Sequence, residues 1–252
     1  MAMAENIVIA EMTWTEVHEA MKDRPVGLLP VGAVEAHGPH LPISTDSVIA
    51  TEMAKRGAAK LKEHGVAALV LPPVYFTVAE FGAEFAGTLS IPPESAVSLL
   101  REVCVAAARQ FRAVALANIH LEPKHMECVK QAVEEARKAG ASVCFPDVTR
   151  KRWAETLGQA FLLGDHAGAW ETSLMMAAAP ALVRERERIS LPPMEGLLAG
   201  IKKGAQTFTQ AGGEDAYFGD PTAASADEGD AYFDALAQVL SLSVMEHLGS
   251  KA

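Results

Sequence analysis

Two stretches of the chain place a carboxylate and an imidazole two residues apart: Glu35-Ala-His37, and His120-Leu-Glu122. In extended backbone, side chains at i and i+2 leave the same side, so each pair could reach one ion; on a helix the same spacing sets them about 200° apart. The composition would give about two such pairs by chance, and the sequence has four. Glu16/His18 and His125/Glu127 fall inside predicted helices, where the pair cannot converge, and read as solvated faces. Glu35/His37 and His120/Glu122 lie in loops that leave the carboxyl ends of predicted strands, the edge where open α/β sheets bind ligands. Two readings stay open for them: metal ligands, or loop residues hydrogen-bonded to nearby backbone. Asp46 follows the first loop at a predicted helix start, where backbone N–H groups and the helix dipole favour an ionised carboxylate. It could bridge two cations or simply support the helix. In Gly164-Asp165-His166-Ala-Gly168-Ala-Trp170-Glu171-Thr172-Ser173, a glycine-containing turn presents His166, for acid/base work or for a plain hydrogen bond. Glu171 lies in the first turn of the next helix, where a carboxylate could serve the dipole alone.

Other chemistries lack their signatures. There is no GxSxG elbow, no GxxxxGK[ST] phosphate loop and no HExxH. Cys104 reads as core, since nothing near it in the sequence would lower its pKa. Cys104, Cys128 and Cys144 form no CxxC spacing, so neither a disulfide framework nor a thiolate zinc site is expected.

The elements that must position these residues follow from periodicity. Short apolar runs at Asn6–Ala10, Val26–Val31, Ala67–Leu71, Ala113–Asn118 and Ser142–Phe145 alternate with helical patterns. That alternation predicts a parallel sheet covered by helices. Helices are expected at Trp14–Lys22 with a Thr13/Glu16 capping box, and at Asp46–Glu63, Glu94–Phe111 and Lys124–Lys138. Later helices are expected at Arg152–Phe161, Ala169–Ala179 and Ala226–Leu248. Leu191–Gly219, interrupted by Gly and Pro, reads as an irregular excursion over the sheet. Without a repeat, linker or low-complexity tract, the expectation is one domain.

The composition, 50% hydrophobic with 22 Lys+Arg against 32 Asp+Glu, is that of a globular protein and excludes disorder. A net charge of −10 argues against nucleic acid or an anionic lipid surface as partner. No apolar run reaches the length of a membrane span, and charges at Glu5 and Glu11 argue against a signal peptide. A cytoplasmic location is the expectation.

The segment Gly32-Ala-Val-Glu35-Ala-His37-Gly-Pro-His40-Leu-Pro-Ile-Ser-Thr45-Asp46 resembles the signature of the creatininase (creatinine amidohydrolase) family. Further matches follow in order: Phe85-Ala-Gly87-Thr88, Asn118-x-His120, His166-Ala-Gly168-x-x-Glu171-Thr172-Ser173, and Gly219-Asp220-Pro221-Thr222. The resemblance implies a three-layer α/β/α fold around a mostly parallel central sheet, assembly as a homo-oligomer, commonly a hexamer, and two divalent metal ions, Zn²⁺ and/or Mn²⁺. Carried over by position, Glu35 and His120 would hold one ion, His37 and Glu122 the other, and Asp46 would bridge them. His166 would be the acid/base histidine, with Asp165 at the acidic position before it, and Glu171 would support the metal or the histidine from outside. Many relatives read Asn-Gly-His-Gly-Gly-Asn where this chain has Asn118-Ile-His120-Leu-Glu122-Pro123, and a Glu two after the His is the creatinine-hydrolase version. Yet creatinine enzymes carry Trp-Asp where Leu162-Leu163 stand here. The family's frequent His a turn before Phe-Pro-Gly-Thr is replaced by Phe81-Gly82-Ala83-Glu84, with Ala86 for the Pro. The pocket wall is therefore expected to be rebuilt, with Trp153 and Trp170 as candidate parts.

The function this predicts is metal-dependent hydrolysis of a non-peptide or cyclic amide C–N bond in a small polar molecule, through a metal-activated water. A peptidase trimming a short modified peptide and a non-catalytic metabolite-binding protein are the alternatives.

Overall fold

The computed structural model describes residues 6–249. Its sheet has four strands, β1 (Val26–Val31), β2 (Ala68–Val70), β3 (Val114–Asn118) and β4 (Val143–Cys144), in the order β2-β1-β3-β4, all parallel. The helices are α1 (Trp14–Ala20), α2 (Thr45–Glu63), α3 (Pro93–Ala108), α4 (Pro123–Lys138), α5 (Lys151–Ala154), α6 (Gln159–Leu163), α7 (Ala169–Ala178), α8 (Glu185–Arg188), α9 (Leu197–Lys202), α10 (Phe208–Ala211) and α11 (Ala226–His247).

Every residue of β1 and β3 is buried, which is why these strands read as unbroken apolar runs. Successive side chains divide between the faces. Val26 and Leu28 join a core with residues of α2, α7 and α11, while Leu29 and Val31 join a second core with α3 and α4. The result is the expected three-layer α/β/α arrangement. Among the described residues no helix is long and apolar enough to cross a membrane.

Some elements differ from expectation. Asn6–Ala10 gives only a parallel bridge of Val8 to Val70 before the chain coils into a 3-10 turn at Ile9–Glu11. The single helix expected at Arg152–Phe161 is broken, because Gly158 takes φ +89 between α5 and α6, a left-handed conformation that ends a helix. The excursion at Leu191–Gly219 contains α9 and α10. The Thr13/Glu16 capping box is present.

The central pair β1 and β3 matters most for the site. Val31 lies opposite Asn118, so the loops leaving both strands start side by side. α2 packs on one face of the sheet and α4 on the other, which makes this junction the switch point of the sheet. Gly32 allows the first loop to turn there: a Cβ would come within 2.5 Å of the Ser47 backbone nitrogen, at the start of α2. Gly32→Ala is expected to destabilise the fold by about 2–3 kcal/mol, lowering Tm by roughly 5–10 °C, because backbone cannot yield as a side-chain tip can. Chemical denaturation of the variant checks this, and an unchanged midpoint would refute the close approach.

Candidate metal centre

The loop after β1 carries Glu35 and His37, the first turn of α2 carries Asp46, the loop after β3 carries His120 and Glu122, and the turn into α7 carries His166 and Glu171. All seven side chains are buried.

Asp46 stands between the two imidazoles. Its Oδ1 is 3.1 Å from His37 Nε2, and its Oδ2 is 3.0 Å from His120 Nδ1 without making a hydrogen bond. The opposite ring nitrogens are fixed by backbone: His37 Nδ1–H donates to the Glu35 carbonyl at 3.0 Å, and His120 Nε2–H donates to the Val78 carbonyl at 2.9 Å. With those nitrogens spent on backbone, His37 Nε2 and His120 Nδ1 face Asp46, where each can carry a proton toward the carboxylate or, once that proton is displaced, offer its lone pair to a cation. No side chain caps α2, so the carboxylate expected to support the helix is spent on the site instead.

Three overlapping groups could each hold an ion, with ligand atoms within 4.8 Å of one another: Glu35/His120/Glu122, His37/Asp46/Glu171 and Glu35/His37/His166. The division of carboxylates therefore differs from the one implied by resemblance. Glu122 groups with Glu35 and His120, its Oε2 held by the Phe81 N–H at 3.1 Å, because the loop after β3 runs beside the Phe81 turn. Glu171 takes the place beside His37, its Oε2 3.6 Å from His37 Nε2 while accepting the Ala167 N–H at 2.6 Å. Glu171 was expected to support the metal or the histidine, and its carboxylate lies close enough to His37 to be a ligand itself. Its position on the first turn of a helix hid it, since that placement has a sufficient local explanation.

The donor set fits divalent cations. Glu35 Oε1 and Asp46 Oδ2 are buried without a hydrogen-bond partner. Burial would lower the pKa of both central histidines, but the facing carboxylates, Asp46 with Glu171 for His37 and Glu35 with Asp46 for His120, lift both to about 10. Burial raises Glu35 and Glu171. It would raise Asp46 too, but His37 and His120 hold that carboxyl below its usual range. Carboxylate clustering thus creates a demand for positive charge, which protons or metal ions can meet.

His166 lies at the edge of this cluster. Its Nε2–H donates to the Ala36 carbonyl at 3.0 Å, and Nδ1 faces Glu171 Oε2 at 3.9 Å. Burial, reinforced by His37, keeps the ring neutral by pushing its pKa well below the usual value. The ring stacks on Phe208, centroids 4.2 Å apart. Asp165, grouped by resemblance with the catalytic residues, has both oxygens on backbone: Oδ1 accepts from Gly168 at 3.1 Å and Glu171 at 3.3 Å, Oδ2 from Trp170 at 3.1 Å. It fastens the start of α7 and so holds His166 and Glu171 in place. Burial still raises its pKa, to about 6. Ala167, between them, adopts φ +52, a strained conformation for a residue with a Cβ.

His125, read as part of a solvated face, is instead fully buried: Nδ1 pairs with Thr77 Oγ1 at 2.6 Å and Nε2 with Asn118 Oδ1 at 2.7 Å, on the side of α4 that faces the sheet. Asn118 in turn donates to the His120 carbonyl at 2.8 Å. Glu127 is exposed and bonds Lys124. Cys104 is core, as expected.

The cluster floors a cavity of about 430 Å³. Phe81, Leu162 and Trp170 line it, together with Leu197, Ile201 and Phe208 from the segment expected to be irregular. Trp153 does not line it and packs beneath the Arg152 guanidinium, 4.2 Å from its ring centroid. The apolar triplet Leu197, Leu198, Ile201 just after Gly196 was the available sign of a short amphipathic helix.

Comparison with known proteins agrees with the geometry. The profile of the Creatininase family, described as creatinine amidohydrolase, matches residues 10–243. A mycofactocin precursor peptide peptidase of Mycobacterium tuberculosis is 31% identical over 237 residues, covering 91% of this chain and 88% of that protein. A creatinine amidohydrolase of Pseudomonas putida is 29% identical over 211 residues, covering 76% and 79%. A solved structure described as creatininase Mn superposes with a TM-score of 0.72 at 24% identity, covering 96% of this chain and 98% of that one.

The grouping of ligands makes a direct prediction for elemental analysis of purified protein. Asp46→Ala is expected to lose two bound ions together, Glu171→Gln to weaken only the ion beside His37, and Glu122→Gln only the ion beside His120, each by roughly 10–100-fold in affinity. Equal effects of the Glu171 and Glu122 changes on both ions would refute the division.

Proposed function

This chain belongs to the creatininase family, and from that premise we propose that it is a metal-dependent amidohydrolase that cleaves a non-peptide or cyclic amide C–N bond of a small molecule. The observation that carries the reading is the placement of Asp46, each oxygen about 3 Å from a different imidazole, at the floor of a cavity. Oxygen and nitrogen donors without thiolate suit Zn²⁺ or Mn²⁺. Two such ions, when bound, supply Lewis acidity toward a carbonyl oxygen and a water of lowered pKa.

The chain's own residues do the rest. Glu35, His120 and Glu122 would hold one ion, His37 and Glu171 the other, with Asp46 between them. His166 enters neutral, its Nε2–H spent on the Ala36 carbonyl, so Nδ1 is the atom that can take a proton from the attacking water and return it to the departing nitrogen. The water's oxygen bonds to the carbonyl carbon as the C–N bond breaks, giving a carboxylic acid and an amine. Glu171, beside Nδ1, favours the protonated ring during that transfer, and Asp165 keeps the turn that bears both residues fixed to α7.

A peptidase is the second reading, supported by the identity to the mycofactocin precursor peptide peptidase. Against it, among the described residues no Lys or Arg lines the cavity to receive the terminal carboxylate of a peptide. Hydrolysis of lactams, formamides and dipeptides by metal-loaded protein separates the two, and cleavage of dipeptides alone would overturn the first reading. For the acid/base assignment, His166→Gln is expected to lower kcat by roughly 10²–10⁴ with both ions retained. A kcat within a few-fold of the parent would remove His166 from the chemistry.

A further inference from the structure

We infer that the cavity above the metal centre selects an amide bearing a neutral, apolar substituent, such as an aryl or medium alkyl group, in place of the small polar molecule expected from sequence. The inference rests on the hydrolase reading and deepens it.

The cavity combines three properties. Its floor holds the carboxylates Glu35, Asp46, Glu122 and Glu171, whose charge two divalent ions would balance, and Asp165, whose oxygens are taken by backbone N–H groups at the start of α7. Among the described residues its walls include no Lys, Arg, Asn or Gln. They are mostly Phe81, Leu162, Leu197, Leu198, Ile201 and Phe208, with two polar groups, the Thr149 hydroxyl, which is spent on Asp147, and the Trp170 indole N–H. At about 430 Å³ the space lies within the range of drug-sized ligand sites and exceeds what a bare amide would fill. A charged group carried up from the floor would lose its hydration against hydrocarbon without a partner, whereas an apolar group would be released from water.

The position of the wall adds direction. Phe208 stacks on His166 and is 5.8 Å from Phe81 between ring centroids, so the apolar surface begins at the proton-transferring ring. It continues outward to Leu162 and Leu198, which are 42% and 41% exposed, so the entrance is apolar as well as the interior.

Hydroxamates, which direct a metal-seeking head group to such a floor, test the walls separately from turnover. With Zn²⁺-loaded protein, phenylacetohydroxamate and octanohydroxamate are expected to bind at least roughly tenfold tighter by calorimetry than succinohydroxamate, which carries a carboxylate, or glycine hydroxamate, which carries an ammonium. Ile201→Arg, with folding verified by its melting curve, is expected to weaken phenylacetohydroxamate about tenfold and to strengthen succinohydroxamate. Charged probes binding as tightly as apolar ones, or a folded Ile201→Arg protein with an unchanged ratio, would overturn the inference. Hydrolysis of phenylacetamide against succinamic acid distinguishes the two levels. Tight apolar hydroxamate binding without amide cleavage would defeat the hydrolase reading alone, and amide cleavage that favours succinamic acid would defeat the apolar preference alone.

Discussion

Four carboxylates and two inward-facing imidazoles share one buried volume, and the rest of the structure is arranged around the cost of that concentration of charge. Unlike charges must be supplied, because in a medium of low dielectric mutual repulsion among carboxylates is only weakly screened. Backbone donors meet part of the demand: Phe81 for Glu122 and Ala167 for Glu171. Glu35 Oε1 and Asp46 Oδ2 have no donor, and they flank the space between the rings. A site whose own hydrogen bonds leave those two atoms bare is built for something cationic. The fold accommodates this at some local expense, since α2 begins with no side-chain cap, Ala167 is left-handed, and Gly32 admits no Cβ.

The floor and the roof are constructed differently. Floor residues come from loops that leave adjacent parallel strands whose register is fixed along their whole length, together with the first turn of a nineteen-residue helix. Such supports hold ligand atoms to the tolerances metal binding needs. His120 gains a further constraint from the buried chain Thr77, His125, Asn118, which ends on its own carbonyl. Roof residues come from α6, α9 and α10, elements of four to six residues, joined by turns. Helices of that length contribute little stability by themselves and owe their conformation to packing. A roof of this kind can change its side chains without disturbing the floor.

That difference also explains what could be read from the sequence. The sheet, the long helices and four ligand candidates, Glu35, His37, His120 and Glu122, were legible because parallel strands buried on both faces read as apolar runs, and because i, i+2 spacing has a meaning in strand-end loops that it lacks in helices. Asp46 was legible by position but not by orientation, since a helix-start carboxylate has two uses and spacing cannot choose between them. His125 was misjudged, and the direct approach of Glu171 to His37 was not visible, for one reason: each lies on a helix and has an ordinary local explanation, and only tertiary packing turns it inward. The grouping of Glu122 with Glu35 and His120, and of Glu171 with His37 and Asp46, depends on which loop runs beside the Phe81 turn, a contact between residues 41 apart. Asp165 was legible as important and not as a cap, because its donors belong to a helix start whose closeness is set by the turn at Ala167.

Substrate selection in this fold therefore has to be sought above the metal centre. Under the proposed hydrolysis the floor would act on a carbonyl oxygen, a water and a proton held by His166, which are common to many amides. What differs between amides is the group attached to them, and that group meets Phe81, Leu162, Ile201 and Phe208 before it meets a ligand. Since His166 stacks directly on Phe208, roof and floor touch at the proton-transferring ring. A substituent that fills the apolar wall would also exclude water from that ring, so that under the proposed hydrolysis the imidazole facing Glu171 would pass its proton to substrate in place of solvent. Under that proposal, affinity for the substituent and efficiency at the amide would be coupled through one aromatic contact, and the short helices would contribute to the chemistry as well as to recognition.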